Sequence, residues 1–231
     1  MQHRRVHEVM TREVVSARPD TPFKEIVALF HRNDVTAIPV VDDQDRPIGV
    51  VSEADLIRKE AVLADPEGRS PGRWLGAHDR ARAEAETAGG LMTSPAVTAR
   101  PSWSIPEAAR AMDRHRVKRL AVVDEAGRLV GVVSRRDLLQ IFLRHDAAIR
   151  EEIIHDVLGA TLWLPSDRVE VAVDEGVVTL TGRVPRRSMI PIVEQLCRSV
   201  DGVVALHHTL DWTEDDTDVR LEHPKAYRAG A

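Results

Sequence analysis

The sequence predicts an α+β protein made of two copies of a β-α-β-β-α unit followed by a smaller α-β-β-α-β domain. Three observations carry that expectation. Residues 10–56 align with residues 92–138 at a constant offset of 82 without a gap, and about 19 of the 47 aligned positions are identical. Within each copy, apolar residues at helical spacing give way to two short β-rich runs. Beyond the second copy the pattern changes to strict alternation at Val169, Glu170, Val171, Ala172 and Val173, a hairpin signature absent from the repeats.

The first unit opens on Met10-Thr11, matched by Met92-Thr93, and a short apolar stretch that reads as an opening strand. A helix follows. In the second unit Ser104 and Glu107 have capping-box spacing with Pro106 in the first turn, and the first unit has Thr21 and Pro22 at its helix start. Phe23, Ile26, Val27 and Phe30 then fall on one helical face, as do Ile105, Ala108, Ala109 and Met112, and both stripes are expected to face a core. Two strands come next, at 38–41 and 48–51 and again at 120–123 and 130–133, each pair joined by a polar turn. A second helix is expected to start at Ser52 or Ser134. Residues 61–90 form an insertion with Pro66, Gly68, Pro71 and Gly72, read as an irregular linker with a short surface helix over 80–88.

The best-matched block is Gly49-Val50-Val51-Ser52-Glu53-Ala54-Asp55-Leu56 against Gly131-Val132-Val133-Ser134-Arg135-Arg136-Asp137-Leu138. With this doubled motif the chain resembles the cystathionine-β-synthase (CBS) domain family, whose members occur in tandem pairs forming a Bateman-type module. The expected repeats are 7–60 and 91–145. A serine leading into a helix presents unpaired N–H groups and the positive end of the helix dipole, and an acid three residues on could accept hydrogen bonds from a diol. The same Ser-x-x-Asp spacing also describes a plain capping box, and the residues alone leave both readings open. The resemblance implies that Asp55 and Asp137 contact the ribose of an adenine-containing nucleotide, and Ser52 and Ser134, which open the helices, are expected ligand-binding residues beside them. It also implies a phosphate contact from a basic residue before the second strand, the place of Arg119. Its counterpart in the first repeat is Ala37, so the two clefts are expected to differ. No cofactor is required by this reading; AMP, ADP, ATP or S-adenosylmethionine is the expected regulatory ligand.

In the third module Ile149, Ile153, Ile154 and Val157 form a helical stripe ahead of the hairpin at 169–173 and 177–182. A helix over 186–200 and a closing strand over 203–210 complete it. The order of elements and the placing of Gly176, Gly182 and Gly202 resemble the BON domain, expected here over 146–212. That resemblance implies association with phospholipid; without an export signal in view, a protein-binding or oligomerising role stands beside it. Residues 213–231 read as a disordered polar tail.

Composition narrows the function classes. The formal net charge is -5, and only three Phe, one Tyr and four Trp supply aromatic surface, which disfavours nucleic-acid binding. One cysteine, Cys197, excludes an internal disulfide framework, and its place on an apolar helix face reads as packing. No P-loop or Gly-x-Ser-x-Gly elbow is present, and His207-His208 lie on an expected strand, where neighbours point to opposite faces. The chain is therefore read as a non-enzymatic, cytoplasmic regulator that senses a nucleotide and signals through the C-terminal module to an unidentified protein partner. The alternatives are a ligand-free dimerising protein and a phospholipid-associated adaptor. A homodimer is expected through helical faces that include Leu138, Leu139, Ile141 and Phe142.

Overall fold

The computed structural model describes residues 4–61, 82, 84–165 and 167–217. The chain divides into two compact units, one spanning Arg4–Leu139 and the other beginning at Gln140.

In the first unit, α1 (Val6–Val9) precedes the first repeat, which contains α2 (Phe23–Asn33), β1 (Ala37–Val41), β2 (Pro47–Ser52) and α3 (Glu53–Ala61). A short α4 (Ala88–Leu91) leads into β3 (Thr98–Ala99), α5 (Ile105–Arg114), β4 (Arg119–Val123), β5 (Leu129–Ser134) and α6 (Arg135–Leu139). The 82-residue offset survives in three dimensions. Ile38 pairs with Val51 and Val40 with Gly49, while Leu120 pairs with Val133 and Val122 with Gly131; both ladders slip at the same place. All five residues of β1 are buried, which explains its uninterrupted apolar character. The opening strand is weaker than expected: in the second repeat it is the two-residue β3, parallel to β4, and in the first it shrinks to an isolated Ala17–Val40 bridge.

Each Met-Thr segment crosses to the other repeat. Thr11 bridges Val132 and Thr93 bridges Val50. Met10 and Met92 accordingly lie over Gly131 and Gly49, and a Cβ on Gly131 would come within 2.6 Å of the Met10 sulfur. The glycine in each repeated block is thus a close-packing position.

The structure departs from the sequence expectation at several points. Ser104 does cap α5, with Glu107 returning to its backbone N–H at 2.7 Å, but Thr21 does not cap α2. Its hydroxyl accepts from the Arg18 N–H at 2.8 Å, and Pro22, which has no side-chain acceptor, takes the cap position. Ile26, Phe30, Ile105, Ala108 and Met112 are buried, whereas Val27 is 42% exposed and Ala109 is exposed. The second helices start one residue after Ser52 and Ser134, which end their strands. Most of the expected insertion lies outside the described residues; of the surface helix expected over 80–88, Arg82 and Glu84 are helical, whereas Ala85, Glu86 and Thr87 are not, Thr87 forming a bridge with Pro22 instead.

In the second unit a 3-10 turn (Gln140–Leu143) precedes α7 (Asp146–Glu152), which continues as a π-helical segment, Ile153–Thr161. Then come β6 (Val169–Asp174), β7 (Val177–Arg186), α8 (Met189–Arg198) and β8 (Ala205–Glu214). The sheet order is β6-β7-β8, with β6 antiparallel and β8 parallel to β7. Its buried face meets α7, the π-helical segment and α8 in a core that includes Ile149, Ile153, Val157, Val178, Leu180, Val193 and Cys197. Glu175 and Gly176 both have positive φ at the two-residue hairpin turn, as a type I′ turn requires, and the Asp146 carboxylate accepts from both of their N–H groups at 2.9 Å.

This unit also departs from expectation at its edges. The helix begins at Met189 because Arg186 is still paired in β7, opposite Glu214. The closing strand extends through Thr213 and Glu214, which the sequence places in a disordered tail. Asp215 accepts from Arg187 at 2.7 Å, and Asp216 accepts from the Ser188 N–H and hydroxyl at 3.0 and 2.6 Å. Residues 218–231 lie outside the described set. Of the apolar residues expected on a dimer face, Leu138 and Ile141 are buried, whereas Leu139 and Phe142 are exposed.

Candidate functional site

The two Ser-x-x-Asp motifs fold alike. Asp55 Oδ2 accepts from the Ser52 N–H at 2.9 Å and the Ser52 hydroxyl at 2.7 Å; Asp137 Oδ2 accepts from the Ser134 N–H at 2.8 Å and the Ser134 hydroxyl at 2.7 Å. One oxygen of each carboxylate is therefore committed to fixing the strand-to-helix turn, as a capping box predicts. The second oxygen distinguishes the motifs. Asp55 Oδ1 accepts from Arg82 at 2.7 Å and from Arg58 at 3.3 Å, while Asp137 Oδ1 has no hydrogen-bond partner among the described residues. Asp55 is buried and Asp137 half-buried.

A cavity of about 730 Å³ opens between the repeats at the first motif. The first repeat contributes Thr36, Ala37, Val50, Ser52 and Asp55, and the second contributes the segment after Met92 together with His115, Arg116, Lys118 and Arg119. One wall is basic. The 82-residue offset puts Asn33, Asp34, Thr36 and Ala37 at the positions equivalent to His115, Arg116, Lys118 and Arg119, and none of these four is basic. Arg119 is anchored at the junction of the repeats, donating to the Ala37 carbonyl at 3.0 Å and to the Thr36 hydroxyl at 2.6 Å. Burial pushes its guanidinium below the ordinary value, and the carboxylates of Glu53 and Asp137 oppose that shift. An arginine still keeps its charge at neutral pH under such a shift.

The sequence-predicted residues are thus divided. Ser52, Asp55 and Arg119 line one cavity; Ser134 and Asp137 belong to the other repeat's motif, with Arg119 paired to Ser134 across β4 and β5. Arg82 was not among them. It lies in the insertion, has no counterpart in an aligned repeat and carries no motif, so no sequence signal marked it. Besides Asp55 it donates to the Leu91 carbonyl at 2.7 Å and the Thr93 hydroxyl at 2.9 Å.

A second cavity, about 600 Å³, lies between α2 and α3 and is lined by Phe23, Val27, Phe30, Leu56 and Ile57 among others. Among the described residues no His, Cys, Asp or Glu cluster is arranged to hold a metal, and no helix is long and apolar enough to cross a membrane.

Paired repeats exchanging their entry segments around a polar interdomain cleft define a tandem ligand-binding module of the CBS type. The CBS domain matches residues 6–61 and 88–144, and the BON domain matches residues 145–214. The chain belongs to the CBS-domain proteins and carries a BON domain after its CBS pair. It is 29% identical over 148 residues to MK0525 of Methanopyrus kandleri, covering 64% of this chain and 67% of that one. It is 25% identical over 137 residues to an inosine-5'-monophosphate dehydrogenase of Methanocaldococcus jannaschii, covering 59% of this chain but 23% of the dehydrogenase. Among solved structures, CBSX2 of Arabidopsis thaliana in complex with AMP superimposes with a TM-score of 0.51 at 27% identity, covering 60% of this chain and 96% of CBSX2.

Proposed function

We propose that the protein is a non-catalytic regulator whose CBS pair binds an adenine-containing nucleotide and whose BON domain passes the occupancy on to a partner. The observation that carries this reading is the Asp137 carboxylate, which keeps one oxygen without a hydrogen-bond partner among the described residues on a turn paired with Arg119, whose neighbours Lys118 and Arg116 line the cavity of about 730 Å³ between the repeats. A cavity of this size with convergent polar groups suits a small ligand with an anionic end. The AMP complex of CBSX2, a protein of the same module, supports the ligand class. Ser52 with Asp55 lines this cavity and Ser134 with Asp137 forms the matching turn of the other repeat; Asp137, with one carboxylate oxygen open, is the better diol acceptor, and Arg119 is the phosphate donor. Ligand contacts on both repeats would couple occupancy to the packing of one repeat on the other. The test is a thermal-shift panel of AMP, ADP, ATP and S-adenosylmethionine against the full chain. Stabilisation by at least one supports the reading, and none at millimolar ligand overturns it.

Self-association belongs to the same reading. Val27, Ile57 and Leu139 are 42, 66 and 61% exposed, and the first two line the apolar cavity between α2 and α3. Covering such a face by a second copy gives the homodimer. Cytoplasmic operation and a protein partner for the BON domain complete the proposal; a phospholipid partner is the competing reading, tested by vesicle co-sedimentation.

A further inference from the structure

Arg82 stands out because it uses its charge on one of the two carboxylates that the doubled motif would otherwise offer to a ligand. Its guanidinium is held at three points: 2.7 Å from Asp55 Oδ1, 2.7 Å from the Leu91 carbonyl and 2.9 Å from the Thr93 hydroxyl. Its side chain is 15% exposed and that of Asp55 8%, so this pair is shielded from the solvent that weakens surface ion pairs. The neighbouring chain is pinned as well: Lys59 donates to the Ala85 carbonyl at 2.9 Å, the Phe23 N–H donates to the Glu86 carbonyl at 2.8 Å, and Pro22 bridges Thr87. With Oδ2 committed to Ser52 and Oδ1 to Arg82, Asp55 has both oxygens occupied. A ribose diol would have to displace a charge-assisted hydrogen bond to reach it. At Asp137 the same diol meets an oxygen with no hydrogen-bond partner among the described residues.

We infer that Arg82 is a specificity-determining residue that withdraws Asp55 from nucleoside recognition, so that the Ser134-Asp137 turn alone accepts a ribose and the cavity at Asp55 selects anionic groups through its basic wall. This inference rests on the nucleotide-sensing reading above, and it goes further by making the two clefts chemically unequal and naming the residue responsible.

The experiment is the stoichiometry of adenosine binding, a probe with ribose but no phosphate, measured by calorimetry on the full chain. The native sequence should bind one adenosine per chain; Asp137→Asn should abolish binding, and Asp55→Asn should leave the affinity within about twofold. Arg82→Gln frees Asp55 and should raise the stoichiometry to two, returning to one in the Arg82→Gln, Asp55→Asn double variant. Arg82→Lys keeps the ion pair and should stay at one, which separates the charge from any general loosening of the segment. Unchanged stoichiometry in a folded Arg82→Gln protein overturns the inference and leaves the sensor reading intact. If Arg82→Gln fails to fold, the Asp55→Asn and Asp137→Asn comparison decides: adenosine lost on substituting Asp55 and retained on substituting Asp137 overturns the inference. Failure of every folded variant to bind adenosine, together with a blank nucleotide panel, overturns both.

Discussion

The Arg119 guanidinium donates to the carbonyl oxygen of Ala37 at 3.0 Å, joining two positions that the 82-residue offset makes equivalent. The internal duplication therefore breaks its own symmetry at the junction of the repeats. One copy supplies a cation and the other a small residue whose backbone receives it. This contact also predicts the outcome of removing the cation. Arg119→Ala strips the Ala37 carbonyl and Thr36 hydroxyl of a donor and should cost about 1–2 kcal/mol of stability in denaturant unfolding. The same variant should weaken AMP or ATP far more than adenosine, because only phosphorylated ligands use the guanidinium.

Gly131 is expected to resist any side chain. A Cβ there would lie 2.6 Å from the Met10 sulfur and 3.1 Å from the Thr11 carbonyl oxygen, and the second neighbour is backbone that cannot rotate away. Gly131→Ala should destabilise the CBS pair by about 1–3 kcal/mol. Adding Met10→Ala should recover only part of that loss, as read in thermal melts of the single and double variants.

How much of this was legible follows from where each signal resides. The strand registers could be read because β1 is buried throughout and β4 from Leu120 to Val123, and an apolar run flanked by turns records that burial directly. Ser104 could be read as a cap because its partner Glu107 is three residues away. Thr21 misled, since the same residue type turned its hydroxyl back to Arg18 and the helix start went to Pro22. Val27 misled for another reason: helical spacing marks an apolar face without saying whether this chain covers it. Arg82 was invisible because its role depends on a contact 27 residues away in an insertion that has no second copy.

The Cys197 thiol should be inert in the native protein. It is fully buried in the core of the BON domain, and burial pushes its pKa from 9.0 up to about 12. Labelling by a thiol reagent at pH 8 should proceed only at the rate at which the domain opens, and rapidly after denaturation. The sign of the linkage follows: the folded state holds the thiol proton more tightly, so this contribution to stability is intact below about pH 9 and is lost as pH rises toward about 12.

The BON domain should fold without the CBS pair, since its core is built from its own helices and sheet. A fragment of residues 140–217 should melt cooperatively. Ending the fragment at 212 instead should lower the melting temperature, because the Arg186–Glu214 pairing and the Asp216 contacts to Ser188 are lost.

The central claim is that the Ser134-Asp137 turn receives a nucleotide and is more than a helix cap. The most direct measurement is the thermal shift produced by AMP on the native sequence and on Asp137→Asn. Ligand at about ten times its Kd adds roughly 1.4 kcal/mol, which for a chain of this size raises the melting temperature by about 3–5 °C. The account predicts that shift for the native protein and its loss in Asp137→Asn. A slightly lower ligand-free melting temperature in Asp137→Asn with an undiminished response to AMP would contradict it and leave the aspartate as a cap alone.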